Sequence, residues 1–271
     1  MYSFERRSRK AFMKTGSKVE RIKQLKKSKT PYYIEYNSQG TTITIETLFS
    51  KEMYSNLKLK QNELNFIQKV KKEVLSSNLS FVKKDWQPFF FKRKQKEEGR
   101  YLKMIEIDIN AAYWETLKRS GTISEATYLQ GISDDISKQG RLAAIGSLGK
   151  KTTTLYFDGE RVYPVETKEA PTRDFWFYIV QETDEAINNV FIETDALFFW
   201  VDAIFLEQEK EEKAIQLFEQ AGYKVKTKRL EYIDVFNNRI EAKAEGKDKV
   251  KVYTFPHHDK SFLNYFRKDF E

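Results

Sequence analysis

The chain has 271 residues, 40% of them apolar, enough for one large domain or a core with appended parts. It contains no cysteine and only two histidines, His257 and His258, which excludes disulfides and thiolate metal sites and leaves zinc chemistry and Ser–His–Asp catalysis poorly supplied. No apolar run is long enough to cross a bilayer, the charged N-terminus does not read as a signal peptide, and no membrane partner is expected.

The net charge of +8 is concentrated at one end. Residues 1–30 carry eleven Lys or Arg, beginning with Arg6, Arg7, Arg9 and Lys10, against Glu5 and Glu20. That is a local charge of +9, so the rest of the chain is close to neutral. A basic arm of this kind, part of it readable as helix despite little apolar periodicity, suits a polyanion such as nucleic acid, and it equally suits a solvated extension that aids solubility.

Residues 32–36 and 41–48 alternate apolar and polar around Gly40, which predicts a hairpin. Leu57, Leu59, Leu64, Ile67, Val70 and Val74 recur at helical spacing, which predicts an amphipathic helix over 57–77. Residues 80–97 interleave aromatics with Lys and Arg, a pattern that fits either base stacking or a core with a solvated edge. Leu102–Ile109 alternates as a strand, and Ala111–Ser120 reads as a short helix ended by Gly121. A further helix starts near Ser133, passes through Arg141 and stops at Gly149. Leu155–Pro164 reads as a hairpin turning at Asp158-Gly159, and Arg173–Asn189 as a helix. Ala196–Glu207 reads as a hairpin with Asp202 near its bend, followed by a helix to Ala221. Three strands follow, near 229–236, 239–244 and 250–255, and a tail from Pro256 ends in a short helix. The order points to an α+β fold with an antiparallel sheet. The expected divisions are a basic arm (1–30), a hairpin-and-helix region (31–100), a core (101–255) and a tail (256–271).

Two carboxylates stand out along this order. Asp108 closes the apolar strand Ile105-Glu106-Ile107-Asp108-Ile109, and Asp202 lies within Phe198-Phe199-Trp200-Val201-Asp202-Ala203-Ile204-Phe205. Between them lies the basic helical segment of Arg141, with Lys138 and Lys150 close by in sequence. Either aspartate alone reads as well as a turn or helix-cap residue, Arg141 as a solvent-facing cation, and Tyr113 with Trp114 as core aromatics.

Taken together, these segments resemble the palm of family B DNA polymerases. Asp108-Ile-Asn-Ala-Ala-Tyr113-Trp114 keeps the Asp and Tyr of the family's Asp-x-x-Ser-Leu-Tyr-Pro. Arg141 and Gly149 stand at the Lys and Gly of Lys-x-x-x-Asn-Ser-x-Tyr-Gly, with Ile145-Gly146 and Leu148 replacing the residues between. Trp200-Val201-Asp202-Ala203-Ile204-Phe205 keeps the second Asp of Asp-Thr-Asp-Ser-Ile-Phe, with Trp200 at the first. Glu193-Thr194-Asp195-Ala196-Leu197-Phe198 is a second alignment of that motif, which makes Asp195 the alternative ligand. Lys251-Val252-Tyr253 echoes the family's Lys-x-Tyr on the primer strand.

The resemblance implies a palm-like antiparallel sheet with packed helices, small fingers at about 115–150 and little or no thumb. It implies catalytic metal ligands at Asp108 and Asp202, with Mg2+ or Mn2+ as cofactor. The triphosphate falls to Arg141, Lys138 and Lys150, and the sugar to Tyr113. The partners implied are DNA, deoxynucleoside triphosphates and a protein that supplies processivity. The setting is the cytoplasm of a prokaryotic or phage-infected cell. The losses at Trp200, Ile145 and Leu148 support a different class of function, a non-catalytic palm-like subunit that binds nucleic acid or assembles a replication or mobile-element complex.

Overall fold

The computed structural model of the protein describes residues 11–14, 16–37, 42–55, 58–77, 91–94 and 98–254. In chain order the elements are β1 (Phe12–Met13), α1 (Lys18–Lys27), β2 (Tyr32–Asn37), β3 (Thr42–Thr47), β4 (Lys51–Ser55), α2 (Gln61–Ser76) and β5 (Phe91–Arg93). Then come β6 (Gly99–Tyr101), β7 (Met104–Ile109), α3 (Ala112–Arg119), α4 (Glu125–Ile132), α5 (Lys138–Leu148), β8 (Lys151–Phe157) and β9 (Val162–Glu169). The last are α6 (Arg173–Glu193), β10 (Phe198–Trp200), β11 (Ala203–Glu207), α7 (Glu211–Gln220), β12 (Val225–Val235), β13 (Arg239–Ala244) and β14 (Val250–Thr254). The fold is α+β, as the element order predicts. The chain divides into two compact units. Of the described residues, one holds those up to Lys71 with Asp135–Arg173, and the other holds those of Lys72–Asp134 with Asp174 to Thr254.

The first unit is built on a six-stranded sheet in the order β1-β4-β3-β2-β8-β9. Period-two alternation sends Tyr32, Ile34, Ile43, Ile45, Tyr54 and Phe157 to one face, where Ile22 and Leu25 of α1 complete the core. Ser17 caps α1 by accepting from Glu20 N at 3.2 Å, and Lys26 and Lys27 sit in its last turn, where cations complement the helix dipole. Arg21 grips Glu52 of β4 with two donors, at 3.1 and 3.0 Å. Lys18–Lys27, within the segment expected as a partly helical basic arm, is therefore a packed helix. Its buried pair is three residues apart, a signal masked by the cations around it. The hairpin β8–β9 pairs with β2, so residues 151–169 leave the sheet that bears Asp108, contrary to the expected single core over 101–255. Its turn residue Gly159 has φ +110, and a Cβ there would meet Lys29 O at 2.8 Å.

The second unit carries an eight-stranded sheet in the order β14-β13-β12-β7-β11-β10-β5, with β6 beside β12. Its centre, β12-β7-β11-β10, is antiparallel throughout. The connectivity β7–helices–β10–β11–α7–β12 is the split β-α-β arrangement, in which each helical crossover spans an intervening strand. Ile105, Ile107 and Ile109 of β7 face Ile187, Val190 and Phe191 of α6 and Ala214 and Phe218 of α7. Met104 points the other way, into a second core with Phe198, Phe205, Ile233, Ile240 and Tyr253. That second core exists because β12 is long. Its first half pairs with β7, a register shift falls between Leu230 and Tyr232, and its second half pairs with β13 and β6. An extra residue of this kind bends a strand and raises its twist, so the sheet curls over itself. Expectations for the tail from Pro256 and for most of 80–97 fall outside the described residues.

Candidate active site

Asp108 lies on β7, and Asp202 lies in the turn that leads into the adjacent strand β11, at one end of the second unit's sheet. Asp108 of β7 is paired with Ala203 of β11, and Ile109 N donates to Asp202 O at 2.9 Å. Neighbouring strands run about 5 Å apart, so the two carboxylates hang from backbones within reach of a common ion cluster. Asp108 is exposed and Asp202 half-buried. Asp202 is the second residue of the two-residue loop that closes β10 and β11, since Trp200 pairs with Ala203. The first loop residue, Val201, has φ +58. A two-residue hairpin loop needs positive φ, which glycine or asparagine normally supplies, and a β-branched residue there is a steric outlier. The β7–α3 junction holds a second outlier, Ala111 at φ +49, which opens α3 without a side-chain cap. Backbone strain of this sort concentrates where a functional group must be aimed.

The alternation that aims Ile105 and Ile107 into the helical core puts Glu106 and Asp108 on the opposite face. Two rows of cross-strand neighbours follow from the register. One runs Phe91–Trp200–Ala203–Asp108–Lys226, and the next runs Arg93–Phe198–Phe205–Glu106–Lys228. Glu106 is buried and accepts from Lys228 Nζ at 3.2 Å and from Lys251 Nζ at 2.9 Å, so one carboxylate ties together β7, β12 and β14. Tyr253, two residues beyond Lys251, is buried against Phe198, Phe205 and Trp200 at ring separations of 5.2–5.3 Å. Burial raises its phenol pKa, and the charges of Glu106 and Asp108 raise it further. The Lys-x-Tyr segment thus reaches the Asp108 face.

Tyr113 sits in the first turn of α3. Burial pushes its pKa up, followed by the charges of Asp202, Asp184 and Tyr223. The ring is therefore neutral and within electrostatic reach of Asp202. Its helix is anchored from below, where Thr116 Oγ1 meets Tyr223 OH at 2.7 Å and Thr183 Oγ1 at 3.1 Å. Trp114 is core, 2% exposed, and stacks on Tyr128.

Asp195 is not in the hairpin. It ends α6 at φ +53, precedes β10 and pairs with Lys94, while Leu197 N bonds Phe205 O away from the Asp108 end of β11. Arg141, Lys138 and Lys150 belong to the first unit. Arg141 is half-buried on α5 and donates to Ile136 O at 3.2 Å, while Lys138 and Lys150 are exposed. Lys71 lies near Lys150, and its pKa is lowered by burial and then by that charge. The amino end of α5 already holds a carboxylate. Glu63 accepts from Ser137 N at 3.2 Å and from Ser137 Oγ, and a Cβ on Gly140 would lie 2.8 Å from Glu63 Oε1. The amino end of α5 is therefore already occupied by a carboxylate of its own unit. Arg6, Arg7, Arg9 and Lys10 fall outside the described residues.

Glu106, Lys226, Lys228, Asp184 and Val201 were not singled out by sequence reading. Glu106 had a usable signal, its same-face spacing from Asp108. The lysines are identified only by register.

The donor set suits a hard divalent cation. Asp108 and Asp202 offer oxygen, and no group of three or more His, Cys, Asp or Glu is placed to hold a metal among the described residues. Mg2+ typically uses one or two carboxylates and takes its remaining ligands from water and substrate phosphates. Two carboxylates are within the protein share that such an ion uses. No helix among the described residues is long and apolar enough to cross a membrane. In comparisons with known proteins the chain matches no family model, and no curated protein is a significant match.

Proposed function

We propose that this protein is a minimal nucleotidyltransferase that adds deoxynucleotides to a DNA 3′ end, using a palm-like site in its second unit. The observation that carries this reading is the pairing of β7 with β11, which sets Asp108 beside the hairpin turn containing Asp202. Divalent metal ions, when bound, neutralise charge on the attacking and leaving oxygens of a phosphoryl transfer. Asp108 and Asp202 would hold them. Tyr113, neutral and near Asp202, is suited to pack under the sugar and exclude a 2′-hydroxyl. Arg141, Lys138 and Lys150 are the cations assigned to the triphosphate, and Lys251 with Tyr253 are assigned to the primer strand. The first unit and the basic N-terminal residues add affinity for the DNA backbone.

Manganese binding measured by electron paramagnetic resonance tests the site. Wild type is expected to bind Mn2+ weakly alone and more tightly with a deoxynucleoside triphosphate, and Asp108→Asn and Asp202→Asn are each expected to abolish the gain. Absence of any nucleotide-dependent gain in the wild type would instead support the non-catalytic reading, a palm-like subunit that binds nucleic acid or assembles a replication or mobile-element complex. Trp200 in place of the family's first Asp is the residue that favours that second reading.

A further inference from the structure

Trp200 replaces a carboxylate in the resemblance, yet it occupies the same cross-strand row as Asp108, separated from it by Ala203 alone. Ala203 is the smallest side chain in that row, half-buried and packed, like Trp200, against the second core. The indole is half-buried and flanked by two further rings. Phe91, also half-buried, lies 5.7 Å away at a 31° tilt, and Tyr253 meets it edge-on at 5.2 Å. Tyr253 is in turn seated on Phe205 and Phe198, which stack on each other at 4.1 Å, so the platform rests on core and is rigid. On the far side of Asp108 the same face carries Lys226, Lys228 and Lys251. A rigid aromatic surface on one side of a carboxylate and lysines on the other is complementary to a nucleotide, with the ring for the base and the cations for its phosphate.

We infer that Trp200, backed by Phe91 and Tyr253, is a stacking platform for the 3′-terminal base of the DNA strand being extended. This deepens the function proposed above and rests on it for the identity of the strand. It also gives the lost aspartate a positive role, in which the site exchanges a peripheral acidic group for grip on the terminus. Stacking needs no metal, so the platform works in the presence of a chelator, unlike incorporation.

Two experiments on the full chain test this. Fluorescence anisotropy with a labelled primer–template in EDTA reads terminus binding without chemistry. Alanine-scale loss of one stacked base corresponds to roughly ten-fold or more in affinity, so Trp200→Leu is expected to weaken binding by about that factor and Trp200→Phe to restore most of it. Photocrosslinking of wild type with 5-iodo-deoxyuridine at the 3′ terminus is expected to label Trp200, Phe91 or Tyr253, and an internal 5-iodo-deoxyuridine is not. Equal affinity of Trp200→Leu and wild type, or a terminal crosslink mapping elsewhere, overturns the platform. Because crosslinking uses the wild-type chain, the result stands even if the leucine variant folds poorly. A platform that crosslinks in a protein with no incorporation on any DNA would leave terminus binding in place and remove the transferase reading. Incorporation without the crosslink would do the reverse.

Discussion

Val201 offers a direct probe of how the hairpin aims Asp202. An L-residue in the left-handed region costs roughly 1–2 kcal/mol, a cost glycine does not carry. Glycine in turn loses about 0.5–1 kcal/mol relative to alanine through the greater freedom of its unfolded chain. At an ordinary strand position alanine is therefore the more stable of the two. At Val201, with φ +58, the order should invert. Both substitutions remove the valine methyls, so the difference between them isolates the backbone. Val201→Gly is expected to be more stable than Val201→Ala by about 0.5–1 kcal/mol. With a urea m value near 2 kcal/mol/M, that is a midpoint difference of about 0.3–0.5 M. The assay is urea unfolding followed by tryptophan fluorescence at matched m values. The same glycine lets the turn sample other conformations, so nucleotide incorporation is expected to fall as stability rises. If alanine proves equal to or better than glycine, the turn is not strained at Val201 and the reasoning about Asp202 fails with it.

Three further outcomes are expected. Tyr32 OH is buried in the first unit's core with no hydrogen-bond partner among the described residues, and an unsatisfied hydroxyl costs about 1–3 kcal/mol, so Tyr32→Phe should raise thermal stability. A lower melting temperature in that variant would mean the hydroxyl has a partner. Glu52 has its pKa pushed up by burial but held below the usual 4.5 overall by Tyr54, Arg21 and Ser50. A depressed carboxyl pKa stabilises the fold above the unfolded value and is lost as pH falls through the folded one. The first unit should thus weaken below about pH 4.5, and Glu52→Gln should flatten that acid limb in pH-dependent denaturation. Tyr113→Ala should relax discrimination against ribonucleotides in a competition assay, and unchanged sugar selectivity would place the gate elsewhere.

The parts legible in the sequence were those written in local pattern. Strict alternation in Ile105–Ile109 and the apolar runs either side of Val201-Asp202 specified β7 and the β10–β11 hairpin, and therefore the neighbourhood of the two carboxylates. The helix α4 was missed because its buried residues are Thr127, Tyr128 and Gly131, which carry little apolar signal. The helix α1 was legible only as an unplaced helical part of a basic arm, since Ile22 and Leu25 are its only buried residues among many cations. The Glu106 bonds to Lys228 and Lys251 span 122 and 145 residues, and no local rule reaches that far. Likewise the pairing of β8 with β2 joins distant segments, so residues 151–169 were assigned to the wrong sheet. The platform around Trp200 depends on β5 and β14 flanking one face, which only the register reveals.

The central claim is that Asp108 and Asp202 act together in nucleotidyl transfer, and a primer-extension assay tests it most directly. Wild type, Asp108→Ala and Asp202→Ala would each be given a 5′-labelled primer–template, the four deoxynucleoside triphosphates and Mg2+ or Mn2+. The wild type is expected to lengthen the primer only with metal present, and either substitution to abolish extension while the protein still binds the DNA. No extension by the wild type on primed, unprimed or single-stranded DNA, or full extension by Asp108→Ala, would contradict the claim.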